Sequence, residues 1–326
     1  MPSVTRSLSA LARRARRLRA PDEPGHGRPL HDSWFALVDE QLAPIERACA
    51  GAGPEAFALF RELDDDIWAL LLTQEYRSYP NIRQLLPDVP DPSLQELWNG
   101  VSGVAAAAQS VSFYRKLRER HGSHSDRSLS DSTVLDFGCG WGRLTRYLAR
   151  DVEPGRLFGC DPVEQILDVC RDSRVPATFA KSEFVPERLP FEAEFDLAFS
   201  FSVFTHISER AHDACLRALH RSLRPGALLV LTVRPPEYAR FSPLMKAALD
   251  ELGPDPWVRL TEPRYLYVPH PAEDTHLQYE GGEMTYGEAV ITLPYIREHW
   301  APLFDLLEVD LLLGDLYQVM LTLRRR

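Results

Sequence analysis

Short runs of aliphatic and aromatic residues alternate, from about residue 130 onward, with stretches in which apolar residues recur every three to four positions. Short apolar runs are typical of buried strands, and the recurring spacing is typical of amphipathic helices. Their alternation predicts an α/β domain. Strands are predicted near residues 133–137, 156–160, 177–180, 195–200, 227–233, 305–312 and 316–323.

The chain before this domain divides into two parts. Residues 1–30 hold six arginines and no acid in their first 20 positions and then become proline-rich, so we expect a basic, disordered tail. A transit peptide is the alternative interpretation of such a start. Residues 31–129 show apolar residues at helical spacing and are predicted to form an N-terminal helical cap region.

Several helix boundaries can be predicted within this cap region. Ser93 is expected to cap a helix in a capping-box pattern, and Gly100 to end it. A further helix is predicted from Gly103 to Arg120. The prolines between positions 78 and 92 predict no regular structure there.

A long segment, residues 235–286, separates the fifth predicted strand from the last two. It is rich in Pro, Tyr and His and shows no clean periodicity. A loop of this length inside a compact domain is usually a lid or a binding loop. We therefore expect a lid-like insertion within a domain that spans residues 130–326. Its candidate ligand contacts are His270, His276, Tyr279, Glu280, Gly281, Gly282, Glu283 and Tyr286, and the alternative for each of them is a position on the surface.

The first predicted strand of the domain leads into a glycine-rich turn. Val134-Leu135-Asp136-Phe137 is followed by glycines at positions 138, 140 and 142, and a helical pattern begins at Arg143. Glycine tolerates positive φ and lets a ligand approach the backbone closely. A dinucleotide fingerprint places its third glycine where Arg143 stands, so the spacing argues against a dinucleotide oxidoreductase.

An acid followed by G-x-G-x-G resembles the first motif of the class I methyltransferases that use S-adenosylmethionine (SAM). The similarity continues at Leu157–Asp161, at the strand and loop of Phe195–His206, and at the turn Leu223–Thr232. This resemblance implies a Rossmann-like, seven-stranded, mostly parallel sheet with helices on both faces and an antiparallel last strand. It also implies SAM as the cofactor.

The resemblance implies roles for particular residues. Asp161, which lies 25 positions beyond Asp136, is expected to accept hydrogen bonds from the ribose hydroxyls of SAM, or to cap the helix that follows. Arg143 is expected to pair with the methionine carboxylate, and Ser182 or Glu183 with the adenine. The expected cofactor-binding residues are Asp136, Gly138, Gly140, Gly142, Arg143, Asp161, Ser182, Glu183 and Ser202. Further candidates are Trp98, Asn99 and Gly100 in the cap region and Phe184, which could stack on the adenine.

The candidate catalytic residue is His206, which follows the fourth strand. Methyl transfer to a hydroxyl requires proton removal, and imidazole is suited to that task near neutral pH. The alternative interpretation is that His206 only packs against or caps the next helix. No set of acids with metal-ligand spacing follows the fourth strand, so no metal is predicted.

Charge and cysteine content restrict the classes of partner. A formal charge of −10 argues against a nucleic-acid substrate, which requires a basic surface. The sequence contains no apolar run long enough to span a bilayer, so no membrane span is predicted. The five cysteines form no C-x-x-C pair and are expected to be buried thiols of a reduced, cytoplasmic protein.

These observations predict a bacterial methyltransferase of secondary metabolism. Its acceptor is expected to be a small molecule, a hydroxyl of a natural product or a sugar-type metabolite. N- or C-methylation of a small molecule is the close alternative. A SAM-binding subunit without catalytic activity is a further alternative. The sequence does not predict the oligomeric state.

Overall fold

The structure is a computed structural model that describes residues 32–253, 260–271, 279–280 and 283–326. The predicted basic tail of residues 1–30 and the candidates His276, Gly281 and Gly282 lie outside the described residues.

The described residues contain eleven strands. In chain order these are β1 Val134–Phe137, β2 Leu157–Asp161, β3 Thr178–Lys181, β4 Phe195–Ser200, β5 Leu223–Val233, β6 Tyr265–Pro269, β7 Tyr279–Glu280, β8 Glu283–Met284, β9 Gly287–Ile291, β10 Phe304–Leu311 and β11 Val319–Arg325.

Seven of the strands form one sheet in the order β10-β11-β5-β4-β1-β2-β3. Strands β1 to β5 pair in parallel, whereas β11 is antiparallel to both β5 and β10. All seven predicted strands are present, and the predicted Rossmann-like fold with an antiparallel last strand is confirmed. The strand order reverses between β1 and β4, and ligands of open α/β sheets bind at such a point, beyond the carboxyl ends of the strands.

Eleven α-helices surround the sheet within the described ranges. They are α1 Asp32–Ala36, α2 Asp39–Ala48, α3 Asp65–Thr73, α4 Pro80–Leu85, α5 Pro92–Asn99, α6 Gly103–His124, α7 Thr145–Leu148, α8 Glu164–Asp172, α9 Glu209–Ser222, α10 Pro243–Asp250 and α11 Leu293–His299. Short 3₁₀ helices occupy Pro54–Phe60 and Pro236–Arg240. None of the helices described is long and apolar enough to cross a membrane.

Two expectations for the cap region were wrong. Helix α4 forms within the proline-rich stretch because Pro80 occupies its first turn and the Glu46 carboxylate accepts the amides of Asn81 and Ile82, both at 2.9 Å. The cap of α5 is Asp91, whose carboxylate accepts the amide of Ser93 at 2.9 Å. The other predicted end is confirmed, since α5 ends at Gly100 with φ +72°.

The insertion is partly regular. Helix α10 lies within it, and β6 pairs in antiparallel fashion with β9, which follows the insertion directly. Backbone bonds join this segment to the loop after β4: the Gly287 amide donates to the carbonyl of His206 at 2.6 Å, and the Ala289 amide to that of Thr205 at 2.9 Å. Strand β9, and with it β6 of the insertion, therefore lies next to the carboxyl end of β4.

The N-terminal helices share one hydrophobic core with a face of the sheet. Arg150, just after α7, is fully buried and joins the two parts. Its guanidinium donates to the carbonyls of Phe60 and Leu63 at 3.1 and 2.7 Å, to the Tyr114 hydroxyl at 3.0 Å, and pairs with Asp65. These bonds hold the helices against the Rossmann-like sheet.

Candidate cofactor and acceptor site

The glycine turn after β1 adopts the left-handed backbone that its sequence predicts. Gly138, Gly140 and Gly142 have φ of +74°, +52° and +75°. A Cβ on Gly138 would lie 2.2 Å from Cγ2 of Val203, a distance that no side chain can occupy. The turn is held to the next strand because the amides of Gly138 and Cys139 both donate to the carbonyl of Cys160, at 2.8 and 3.0 Å.

Asp161, at the end of β2, is tied to this turn. One carboxylate oxygen accepts the Gly140 amide and the other the Val163 amide, both at 3.0 Å. Burial raises the pKa of Asp161 to about 6, although both amides favour the charged form. The carboxylate therefore supports the backbone before α8 and also lines the adjoining cavity.

Asp136 is buried beneath the turn. Its carboxylate accepts the hydroxyl of Thr145 at 2.6 Å. Burial raises its pKa to about 7, and the neighbouring charge of Asp161 raises it further. Two acids whose pKa values lie near neutrality at one end of a sheet are a common mark of a functional site.

A cavity of about 570 Å³ opens above the turn. This volume lies within the range of small-molecule sites, about 300–1,000 Å³. Nine of the ten predicted site residues line it, namely Asp136, Gly138, Gly140, Arg143, Asp161, Ser182, Glu183, Ser202 and His206. The structure thus brings together residues from four separate strand ends.

Gly142 is the predicted site residue that does not line the cavity. A Cβ there would lie 3.2–3.3 Å from Val175 and Cys170, on the side of the turn that packs against the protein. The need for glycine at this position therefore comes from positive φ and close packing. Its predicted contact with the cofactor has no support from the cavity lining.

Arg143 is buried against both the turn and the cap region. Its guanidinium lies 4.9 Å from the ring centre of Phe201 and donates to the side-chain carbonyl of Gln109. Gln109 in turn donates to the carboxylate of Asp315. Burial lowers the pKa of Arg143 to about 10, so it remains a cation at neutral pH. A cation at this position can bind a carboxylate.

The cap region closes one side of the cavity. Trp98, Asn99 and Gly100, which were candidate ligand contacts, all line it. The indole of Trp98 lies 3.9 Å from the position that a Cβ of Gly140 would take. The side-chain nitrogen of Asn99 is buried without a hydrogen-bond partner, so a ligand acceptor could satisfy it.

Ser202 lies at the carboxyl end of β4 in a strained backbone conformation, with φ +62°. Its amide donates to the hydroxyl of Thr232 at 2.8 Å, and its hydroxyl accepts from the side chain of Gln318 at 2.9 Å. The carbonyl oxygen of the Gln318 side chain is buried without a partner. These groups present polar atoms to the cavity between the glycine turn and the insertion.

His206 lies in the half of the cavity nearer the insertion. Its Nδ1 is 2.8 Å from the carbonyl of Gly287, which can only accept, so Nδ1 carries the proton. The lone pair of Nε2 then accepts from Nη2 of Arg234 at 3.0 Å. The ring stacks on Tyr286, with centres 5.1 Å apart. His206 is thus fixed in one neutral tautomer.

Arg234 is a site residue that the sequence analysis missed. It follows β5 directly, is buried, lines the cavity and forms an ion pair with Glu288 of β9. The guanidinium stacks on Tyr238, 3.8 Å from the ring centre. Glu288 also lies 3.4 Å from Nε2 of His270. An arginine after a strand gives no signal by itself, because its polar partners His206 and Glu288 are 28 and 54 residues away.

Comparisons with known proteins agree with this geometry. Residues 134–226 match the family profile "Methyltransferase domain". The mouse protein "tRNA (carboxymethyluridine(34)-5-O)-methyltransferase ALKBH8" is 32% identical over 106 residues, which are 32% of this chain and 15% of that protein. The match therefore spans less than a sixth of that relative's length.

Solved structures with a similar arrangement include two methyltransferases. The glycopeptide N-methyltransferase MtfA in complex with S-adenosylhomocysteine (SAH) is 15% identical, with a TM-score of 0.42 over 66% of this chain and 89% of that one. The magnesium protoporphyrin IX methyltransferase of Synechocystis PCC 6803 is 13% identical, with a TM-score of 0.46 over 82% and 96% of the two chains.

The family match covers β1 to the start of β5, the segment that contributes the acid, the three glycines and Asp161. The same segment has the parallel strand order and the left-handed glycine turn described above. The chain therefore has a Rossmann-like fold, and its residues 134–226 match a methyltransferase domain.

Proposed function

We propose that this protein transfers the methyl group of SAM to a hydroxyl of a small-molecule acceptor. The observation that carries the proposal is the continuity of the cavity, which extends from the glycine turn and Asp161 to His206 and the insertion. A methyl donor in one half and an acceptor in the other would meet near Ser202. Holding two reactants together in this way supplies much of the rate acceleration in such a transfer.

The cofactor half offers a group for each part of SAM. Arg143 is proposed to bind the methionine carboxylate, and Asp161 the ribose hydroxyls. Ser182, Glu183 and Phe184 line the cavity beyond β3 and are proposed to surround the adenine. Asp136 supports the turn from below, and its charge attracts the ammonium of the methionine part.

The acceptor half contains His206, the proposed base. Because Nδ1–H donates to Gly287, the basic lone pair is on Nε2. An acceptor hydroxyl that donates to Nε2 would replace Arg234 as its hydrogen-bond donor, while Arg234 keeps its ion pair with Glu288. The hydroxyl proton would pass to Nε2 as the oxygen attacks the methyl carbon and the electron pair of the broken C–S bond stays on sulfur, giving SAH.

The size and charge of the protein favour a small acceptor. The formal charge of −10 disfavours a polynucleotide, although the mouse relative is named for a tRNA. Buried thiols at all five cysteines accord with a cytoplasmic location. Transfer to nitrogen or carbon, and a SAM-binding subunit without activity, are the alternatives that the experiment must separate.

The test is to incubate the protein with SAM whose methyl group carries deuterium, together with a panel of small phenols, alcohols, sugars and amines. Mass spectrometry then measures SAH and any labelled product. The proposal predicts that wild-type protein forms labelled methyl ethers and that His206→Ala does not. The control, His220→Ala, should still form them, because His220 lies on α9 and does not line the cavity. Labelled amines alone would refute the hydroxyl acceptor. SAH binding without methyl transfer to any panel member would favour a SAM-binding subunit without catalytic activity.

A further inference from the structure

His206, His270 and Glu288 form a compact set of metal-type ligands. One nitrogen from each histidine and one carboxylate oxygen all lie within 4.8 Å of one another. Two histidines and a carboxylate are the ligand set of several catalytic zinc and iron sites. The set lies in the acceptor half of the cavity, where His206 and His270 form part of the wall.

The backbone holds these ligands in place. The amide of Gly287 donates to the carbonyl of His206, and the carbonyl of Gly287 accepts a hydrogen bond from Nδ1 of the same histidine. Both the backbone and the ring of His206 are therefore held by Gly287. The amide of His270 donates to the carbonyl of Tyr286 at 3.2 Å. A Cβ on Gly287 would lie 2.1 Å from the carbonyl oxygen of Val268, so β6 and β9 could not approach as they do with any other residue. The three ligands thus come from segments that are bonded to one another.

A cation already contacts two of these three ligands. The guanidinium of Arg234 donates to Nε2 of His206 through one nitrogen and pairs with Glu288 through another. With both histidines neutral, the set would carry a charge of −1, which the single charge of Arg234 would balance.

Charge, more than ligand spacing, decides which cation this site holds. Zn²⁺ at about 2.0–2.2 Å from each ligand would bring ligand atoms to roughly 3.4 Å from one another. Glu288 already lies 3.4 Å from Nε2 of His270, so this pair has the spacing that a metal requires. Adding a divalent ion beside Arg234 would then leave two excess positive charges next to an arginine and a glutamate that are both buried, which is strongly unfavourable.

We propose that His206, His270 and Glu288 form a cation-binding site whose resident cation is the side chain of Arg234, which excludes divalent metals and places a fixed positive charge beside the acceptor. This inference rests on the proposed function and extends it. The guanidinium of Arg234 would polarise an acceptor oxygen, as a bound metal ion does in other enzymes. The acceptors suited to it are oxygen nucleophiles that become anionic as they lose a proton. The existence of the cation site itself does not depend on methyl transfer.

The experiment is calorimetric titration of CoCl₂ into the full chain, with the visible spectrum of bound Co²⁺ as a second readout. Wild-type protein is expected to show no saturable binding. Arg234→Met is expected to bind one Co²⁺ per chain at least about 100-fold more tightly than wild type. Adding His270→Ala or Glu288→Gln to Arg234→Met is expected to abolish that binding. The matched control, Arg217→Met, removes an exposed arginine of α9 and should behave as wild type.

Every outcome bears on the proposal. Tight Co²⁺ binding by wild type, lost in His270→Ala, would overturn the assignment of Arg234 as resident cation. A folded Arg234→Met that binds no Co²⁺ would overturn the ligand set. If Arg234→Met does not fold, Arg234→Gln serves instead, since its amide can still donate to Glu288 but carries no charge. SAH titration of the same samples separates this result from a failure of the proposed function.

Discussion

Asp161 allows the cofactor half of the site to be tested through pH. Its pKa in the free protein is raised to about 6 by burial, against an ordinary value of 3.8. If the ribose hydroxyls of the cofactor donate to the carboxylate, only the ionised form of Asp161 binds well. The ionised fraction falls as pH drops through about 6, so affinity falls with it, by about tenfold per pH unit well below that value.

Asp161→Asn is the perturbation of choice. It keeps one acceptor oxygen for the Gly140 or Val163 amide but removes the charge. Hydrogen bonds to charged groups contribute about 1.5–3 kcal/mol, so SAH binding at pH 8 should weaken by about 10- to 150-fold. At pH 5 wild type is mostly protonated at this position, and the ratio between the two dissociation constants should shrink by about tenfold.

The assay is calorimetric titration of SAH at pH 8, 7, 6 and 5. The ratio of variant to wild type is the informative quantity, because titration of Asp136 affects both proteins. Asp168→Asn, an exposed carboxylate of α8, is the control and should bind as wild type at every pH. A variant that binds SAH equally well at pH 8, or a ratio that does not change with pH, would refute the ribose role of Asp161.

Three further predictions concern stability and the turn. Gly138→Ala should abolish SAH binding measured by calorimetry, and adding Val203→Ala should not restore it fully, because positive φ still costs an alanine about 1–2 kcal/mol. Burial raises the pKa of Asp136 from 3.8 to about 7 in the folded state, so the fold loses stability as pH rises from about 4 to 7. In urea titrations, Asp136→Asn should therefore raise the free energy of unfolding by about 2–4 kcal/mol at pH 8, and the difference should shrink towards pH 4. Arg150→Met should lower the free energy of unfolding by about 3–5 kcal/mol, because it leaves buried carbonyls and Asp65 without their hydrogen-bond donor. The control, Arg217→Met, removes an exposed arginine and should change the free energy of unfolding by less than about 0.5 kcal/mol.

The sequence predicted those parts of the site that a continuous segment encodes. The glycine turn and Asp161 were identified because strand, turn and helix signals follow one another directly in the chain. The fold followed from the same segment, since its strands are short apolar runs with clear boundaries. Helix α4 was missed because Glu46, which lies on another helix, supplies the acceptor for its first amides.

The acceptor half was beyond sequence analysis for the same reason. Arg234, His270 and Glu288 meet only because β6 pairs with β9 and both lie beside the loop after β4. Nothing in the local pattern around Arg234 distinguishes it from other arginines of the chain. His206 was identified from its position after β4, but its tautomer and its bond to Gly287 depend on that same long-range pairing.

The most direct test of the account is a crystal structure of the protein with SAH. We expect the ribose hydroxyls within hydrogen-bond distance of Asp161, the carboxylate at Arg143, and the sulfur directed past Ser202 towards His206. SAH bound with its ribose away from Asp161, or with its sulfur facing away from His206, would contradict the account.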